Sequence, residues 1–389
     1  MVQRPEPMLD PRLSEEIPGE ALETLEVWCQ NNRTRIELEE FLHGGKTGAE
    51  VAVVIVYDSN GPGMKVLKHC PPPKDGLPLD ALKYDDAKNA NKKFAQAHLA
   101  TLDDYVPDGH GGIFLLMEWR GGGSRNYLPL TSFLDREALG GACRAVVKSV
   151  LIDWQEGSRQ PTLARVTAHE VLQVIAGEKC MPNRSLYKIA LELNITEDSR
   201  LSIGGTEFCN PFLAVSKKKG LAEFRTAGIR GNGHGDLHPG NILVPSTARP
   251  GRASKQFDEY YLIDLSSFDN NRFLAIDPAH LMLSLANEQL SELSPRQRDQ
   301  LRELILDPAG ADAGNLPSGI AGAVRAISQV GRGFFDRPPR RLFEHWYQES
   351  LLAVAGCALL FVGRNTDEKI RLWFLQLGGL AIDKRSGAR

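Results

Sequence analysis

The run "GNGHGDLHPGNILV" (231–244) constrains this chain more than any other stretch. A polar, glycine-rich turn feeds directly into an aliphatic tail, within a part of the chain whose apolar residues otherwise recur at helical spacing. The next strand-like run, "EYYLIDLSSFD" (259–269), also ends in an acidic, polar turn. A mainly helical region therefore carries one short hairpin, and chemistry-bearing side chains stand at its ends. His234, Asp236, His238 and Asn241 lie two to three residues apart in the first run, and Asp264 lies in the second.

Two chemistries fit those residues. His234, Asp236 and His238 form an HxDxH cluster of the kind that binds zinc, but Pro239-Gly240 turns the chain immediately afterwards. No downstream H-x-H or E-x-x-H adds ligands, so the set falls short of a zinc hydrolase. The stronger reading uses Asp236 and Asn241, five residues apart, with Asp264. One carboxylate orients or deprotonates a hydroxyl, and the amide and second carboxylate hold magnesium on nucleotide phosphates. Magnesium prefers few protein oxygens alongside phosphate oxygens, so two ligands at strand ends suffice.

The rest of the chain narrows the class. At 389 residues it is long enough for two packed units. A net charge of −3 offers no basic field for nucleic acid or an anionic membrane. The six cysteines are scattered without a CxxC pair, which argues against both a zinc site and a disulfide framework and makes a reducing, cytoplasmic setting the default. The N-terminus lacks an apolar signal region. The most apolar run, "SLLAVAGCALLFVG" (350–363), is short for a membrane span and reads as a buried core helix.

Patterning gives the order of elements. Residues 1–20 read as a loose tail, and 21–42 as a helix turning into a strand. "HGGKTGAEVAVVIVYDSNGPGMKVLKHC" (43–70) places a glycine turn before a β-branched run, a second turn and a short strand. Residues 78–102 have helical composition, and "GGIFLLMEW" (111–119) is a strand. The span 131–230 is mostly helical, broken by "LSIGGTEFCNPF" (201–212). Beyond 277, helices are expected over 277–290, 296–306, 318–328, 340–362 and 367–382. The expected class is α+β with two lobes: a tail and helix start over 1–30, a small β-rich N-lobe over 31–119 and a mainly helical C-lobe over 120–389.

"HGDLHPGN" together with "LID" closely resembles the catalytic loop and metal-binding strand of the protein-kinase-like fold, in its aminoglycoside and choline phosphotransferase branch. The resemblance implies an ATP- and Mg2+-dependent phosphotransferase acting on a hydroxyl of a small molecule or a protein. Asp236 would be the catalytic base, Asn241 and Asp264 the magnesium ligands, and His234 a brace. It also implies a glycine turn over the phosphates, supplied by Gly44, Gly45, Lys46 and Gly48, and a phosphate-contacting lysine on a later strand. Lys68 is the favoured lysine, with Lys65 the alternative. A Walker A reading of "GKT" (45–47) fails because Glu40 stands where its first glycine belongs and a strand-forming run follows.

Some positions depart from the family pattern. No Glu lies between Glu50 and Glu118 to pair with the lysine, so Asp85 or Asp86 would have to substitute with a shorter reach. Glu118 and Trp119 fall where the backbone would meet adenine. Asp277 opens a helix: the resemblance implies that it braces the catalytic loop, a plain N-cap role is equally open, and both can hold together. The polar stretch 245–259 carries Arg249, Arg252 and Lys255 as a partner or substrate surface. More faintly, residues 35–285 resemble the ternary-complex-associated kinase-like domain of bacterial conflict systems, which implies a protein acceptor. The alternative function is a nucleotide-binding pseudokinase that acts as a signalling module. His169-Glu170 reads as a helix surface pair, and Phe343, Trp346 and Tyr347 as core packing.

Overall fold

Period-two alternation builds the N-terminal sheet. In the computed structural model, which describes residues 8–41, 50–72, 79–119, 127–134, 137–156, 161–195, 197–216, 225–246, 257–335 and 342–387, the chain divides into two compact units. The first comprises Met1–Pro129, Gly240–Ala248 and Glu259–Phe268, and the second comprises Leu130–Pro239, Arg249–Asp258 and Asp269–Arg389. Strands and helices are numbered along the whole chain.

In the first unit, β1 (Met8–Leu9), β2 (Arg35–Phe41), β3 (Glu50–Asp58), β4 (Gly61–Cys70), β5 (Leu102–Pro107) and β6 (Ile113–Glu118) form a sheet of order β1-β2-β3-β4-β6-β5. Every pairing is antiparallel except β1 with β2. The β3–β4 turn is closed by the Asp58 carboxylate on the Asn60 N–H, and Gly61 supplies the left-handed residue (φ 105°) that a side chain would resist. Ala52, Val54 and Val56 alternate onto one face, where they meet Leu67, Phe114 and Leu116. Helix α1 (Gly19–Asn32) covers that face with Ala21, Leu25 and Cys29.

The N-terminal segment departs from the loose tail expected for 1–20. From Met8 onward it is tied down: Leu13 and Ile17 join the core beneath α1, and the Asp10 carboxylate accepts the Leu38 N–H. Each such buried aliphatic side chain stabilises by about 2 kcal/mol, enough to hold a short polar segment in place.

On the other side of the sheet from α1 runs α2 (Leu79–Ala90), with buried Tyr84 donating to the Met117 sulfur at 2.7 Å, and α3 (Lys92–His98) follows it. A second, three-stranded sheet of order β13-β12-β7 joins β7 (Tyr127–Pro129), β12 (Ile242–Pro245) and β13 (Tyr261–Leu262). The Ala100 N–H bonds Leu262 O at 3.2 Å and His98 stacks on Tyr260 at 4.4 Å, so this sheet belongs to the first unit. The hairpin assigned by sequence to the C-terminal part is thus packed with the N-terminal sheet, because its strand partners and apolar neighbours lie there.

The second unit is mainly helical: α4 (Ala138–Leu151), α5 (Ala168–Leu172), α6 (Ser185–Glu192), α7 (Pro211–Ser216), α8 (Ile276–Gln289), α9 (Pro295–Leu306), α10 (Ser318–Phe335), α11 (Phe343–Arg364) and α12 (Glu368–Ser386). The last five match the expected helices within a few residues, except that α10 continues to Phe335. Gly140 of α4 lies against Gly322 of α10, where an added Cβ would come within 3.0 Å of backbone. The region expected to be mostly helical also holds strands. β8 (Thr162–Thr167), β11 (Arg225–Gly233) and β14 (Asp269–Phe273) form one sheet, and β9 (Arg200–Ile203) with β10 (Thr206–Cys209) forms a hairpin turning at Gly204-Gly205.

Helix α11 is by length and composition apolar enough to cross a membrane, and 72% of its most apolar window is buried within the protein. Trp346 stacks on Phe335 with ring centroids 4.4 Å apart, the core role expected for it. His169 is not the surface residue expected: it is buried, with Nδ1 on the Ala214 carbonyl, because α5 turns it inward while Glu170 completes a capping box with Thr167. All six cysteines are free thiols.

Candidate functional site

In the first unit, β4 places Lys68 in the row between Val51 of β3 and Leu115 of β6, opposite the α1 face. A lysine there loses its water, and Lys68 is only 3% exposed. Its Nζ meets Asp264 Oδ1 at 2.8 Å. Lys65, three residues earlier, pairs with Asp103 instead.

Asp264 lies just beyond β13 in a left-handed conformation (φ 59°, ψ 71°), an uncommon state for a residue with a side chain. Its Oδ1 also accepts the Ser266 hydroxyl at 2.7 Å. Ile242 pairs with Leu262, and the Ile263 N–H donates to Asn241 O at 3.1 Å. Asn241 and Asp264 are therefore neighbours at one end of the β12–β13 ribbon. A carboxylate and an amide are oxygen donors of the kind that could hold magnesium alongside phosphate oxygens. Among the described residues, no group of three or more His, Cys, Asp or Glu side chains could hold a metal, which removes support from the zinc set of His234, Asp236 and His238.

The other expected nucleotide residues divide as follows. Asp86 and Asp85 are exposed on α2, and Lys68 meets the carboxylate of Asp264. The N–H groups of Glu118 and Trp119 are already bonded within the sheet, to Thr101 O and Met64 O. Gly44, Gly45, Lys46 and Gly48 lie outside the described residues, as do Arg249, Arg252 and Lys255.

In the second unit, Asp236 sits in the turn that follows β11. Gln155 pins the strand end: its amide donates to Asn232 O and accepts the Asn232 N–H. Gly235 takes φ 87°, and the Asp277 carboxylate accepts the N–H groups of His234 (2.6 Å) and Gly235 (2.8 Å). Of the two roles open to Asp277 in the sequence, the structure has the brace: it stands inside α8, whose N-cap position is Ala275. His234 is fully buried, and its Nδ1 accepts the Asp236 N–H at 3.3 Å, so it braces the turn.

Three side chains face the Asp236 carboxylate. His280 Nδ1 and Arg364 Nη2 lie 3.6 Å from Oδ1, and His238 Nε2 lies 3.9 Å from Oδ2. Burial works to raise the Asp236 carboxyl, but the neighbouring imidazoles and guanidinium outweigh it and hold it below the usual carboxylate range. Burial pushes the His280 imidazole down to about 3, so it stands neutral at neutral pH and Arg364 supplies the full charge. Sequence reading missed His280 and Arg364, which come from α8 and the end of α11. His280, three residues from the bracing Asp277, is the one that helical spacing could have suggested.

Comparison with known proteins adds three findings. The family described as ternary complex associated domain 9 matches residues 150–330, in line with the fainter resemblance read from the sequence. Among solved structures, Plasmodium vivax ethanolamine kinase is similar to this chain with a TM-score of 0.38 and 11% identity, over 94% of this chain and 90% of that one. A GDP complex of an aminoglycoside 2'-phosphotransferase-IIIa mutant is similar with a TM-score of 0.38 and 12% identity, over 90% of this chain and 94% of that one. No curated protein matches the sequence.

Proposed function

We propose that the protein is a magnesium- and ATP-dependent phosphotransferase acting on a hydroxyl acceptor. The observation that carries this reading is the buried Lys68–Asp264 pair at 2.8 Å, set at the strand end that also presents Asn241. A buried ammonium beside two hard oxygen donors is the set needed to hold a polyphosphate and its metal. Asn241 and Asp264 would hold the magnesium, which supplies charge neutralisation on the phosphates. Lys68 exchanges Asp264 for phosphate oxygens, and Ser266 keeps the Asp264 carboxylate oriented.

Asp236 serves as the base. Its carboxylate takes the acceptor hydroxyl proton as the acceptor oxygen bonds to the γ-phosphorus, while the bond from that phosphorus to the β-phosphate oxygen breaks and releases the nucleoside diphosphate. The low carboxyl pKa keeps Asp236 ionised, so its work is orientation and late proton capture rather than strong basicity. Catalysis here is mostly positioning, which is why the turn is braced at three points by Asp277, Gln155 and His234.

A non-catalytic nucleotide-binding module is the second reading, favoured by the fact that Asp264 is already occupied by Lys68 and Ser266. One series separates the two. Thermal stabilisation by ATP is measured with and without Mg2+ in wild type and Asp264→Ala, since a ligand bound only to the folded state raises its stability. The enzyme reading expects a Mg2+-dependent shift that Asp264→Ala loses, and γ-phosphate transfer that Asp236→Ala loses while keeping the shift. Absence of any Mg2+-dependent shift overturns it; a shift without transfer establishes the binding module.

A further inference from the structure

Arg364 holds His280 in one tautomer. Its Nη1 lies 2.9 Å from His280 Nε2, and a guanidinium can only donate, so Nε2 is the acceptor and the ring proton sits on Nδ1. That Nδ1 lies 3.6 Å from Asp236 Oδ1, beyond hydrogen-bond range, and has no hydrogen-bond partner among the described residues. His280 is 3% exposed, and a buried donor left without an acceptor is rare enough to need a reason. Arg364 reaches the same place, with Nη2 3.6 Å from Asp236 Oδ1. Its guanidinium lies over the Phe361 ring at 5.2 Å, a contact that fixes its plane while the side chain remains 23% exposed. Two donors thus converge on the space beside the base, one fully charged and one neutral.

The surrounding groups carry both signs. Arg364, Arg272 and Lys179 act on this cluster, and burial and Arg364 together lower the Lys179 ammonium. The carboxylates acting on it are Asp236, Asp277 and Glu178. Asp277 is engaged by the His234 and Gly235 amides, and Glu178 is exposed beside Arg184 at 3.8 Å. A subsite for an amine-bearing acceptor needs carboxylates in excess, and these three carboxylates do not outnumber the three cations.

We propose that Arg364 and the Nδ1–H of His280 form an oxyanion subsite, so that the acceptor carries a carboxylate or phosphate group close to the hydroxyl presented to Asp236. This deepens, and rests on, the phosphotransferase reading. Its direct test is binding rather than turnover. With Mg2+ and a non-hydrolysable ATP analogue at saturation, calorimetry measures the affinity of glycerol 3-phosphate, glycerate, glycerol and ethanolamine for wild type, Arg364→Gln and Arg364→Lys. The two anions should bind at least about ten-fold more tightly than glycerol, the scale of one charge-assisted pair, and ethanolamine should not bind. Arg364→Gln should remove that margin and Arg364→Lys should recover part of it. Comparison of the phosphate with the carboxylate identifies which oxyanion the subsite prefers.

Equal affinities for anion and neutral alcohol, tighter binding of ethanolamine, or an anion margin that survives in Arg364→Gln would each overturn the subsite. The analogue's own Mg2+-dependent heat, measured in the same cell, reports on the phosphotransferase reading separately. If that heat is missing while the anion margin persists, the nucleotide assignment fails and the oxyanion site stands. If the heat is present and the margin absent, the reverse holds.

Discussion

Glu349 offers the sharpest test of how this fold is held together. It lies on α11, fully buried, and its two oxygens accept the Ile229 N–H at 2.7 Å and the Ala275 N–H at 3.3 Å. Those two residues belong to β11 and to the turn before α8, the segments that lead into Asp236 and Asp277. Burial raises the Glu349 carboxyl from an ordinary 4.5 to about 8, against the pull of the two backbone N–H groups and Arg230. Between those values the folded chain keeps the proton and the unfolded chain has released it. The unfolded state then binds fewer protons, so stability falls as pH rises through the window, by about 1.4 kcal/mol per pH unit. The whole span corresponds to about 5 kcal/mol, comparable with the total stability of many domains. Urea denaturation from pH 5.5 to 7.5 in wild type and Glu349→Gln isolates this contribution. Other groups titrate alike in both proteins, and glutamine cannot titrate. Wild type should lose stability relative to the variant as pH rises, although the variant starts lower by about 1 kcal/mol for the acceptor it gives up. Parallel stability curves would show that Glu349 is ionised in the folded state and that its two amide contacts outweigh burial.

Three further outcomes are expected. Lys68→Met leaves the Asp264 carboxylate without its ammonium and should destabilise the protein by about 3 kcal/mol in chemical denaturation, with Mg2+-dependent ATP binding lost as well. Gly235→Ala forces a side chain into φ 87° and should cost about 1–2 kcal/mol; phosphate transfer should fall further than that loss of folded protein explains, because the turn carries Asp236, the proposed base. Because the Asp236 carboxyl lies below its ordinary 3.8, its acid limb in a pH–rate profile should fall below about pH 4, and Arg364→Gln should shift that limb upward.

Much of the fold was legible because local rules decide it. The strand-forming run over 51–57 has β-branched residues at nearly every position, and the last five helices have periodic apolar faces with capping residues such as Ser294 and Asp367. Rules of that kind fail where burial comes from distant segments. β8 and β11 looked helical or undefined because neither is a strand by composition. They exist through mutual pairing and through Gly228, which fits between Val166 and Phe273 where a side chain would clash. Leu13 and Ile17 lie in a proline- and glutamate-bearing tail, and only the α1 core makes them structural.

The candidate site divides along the same line, and the division explains why a motif can suggest a reaction without naming its acceptor. Asp236, Asn241 and Asp264 were readable because each sits in a short turn or at a strand end whose local sequence sets the backbone. Lys68 was readable from its place on a strand, though its partner Asp264, 196 residues away, was not. The groups that set the charge beside the base come from farther still: His280 from α8 and Arg364 from the last turn of α11, 128 residues beyond Asp236. No local pattern links an arginine at a helix end to a carboxylate in a glycine turn; packing of α11 against α8 alone brings them within 3.6 Å. Phosphoryl transfer makes few demands beyond placement, so the turn and the strand ends can remain the same while helix packing changes the acceptor. On this chain that packing put a guanidinium and a neutral imidazole donor where a cationic acceptor would need carboxylates. On the proposed reading, the acceptor class is set by residues that the motif does not contain.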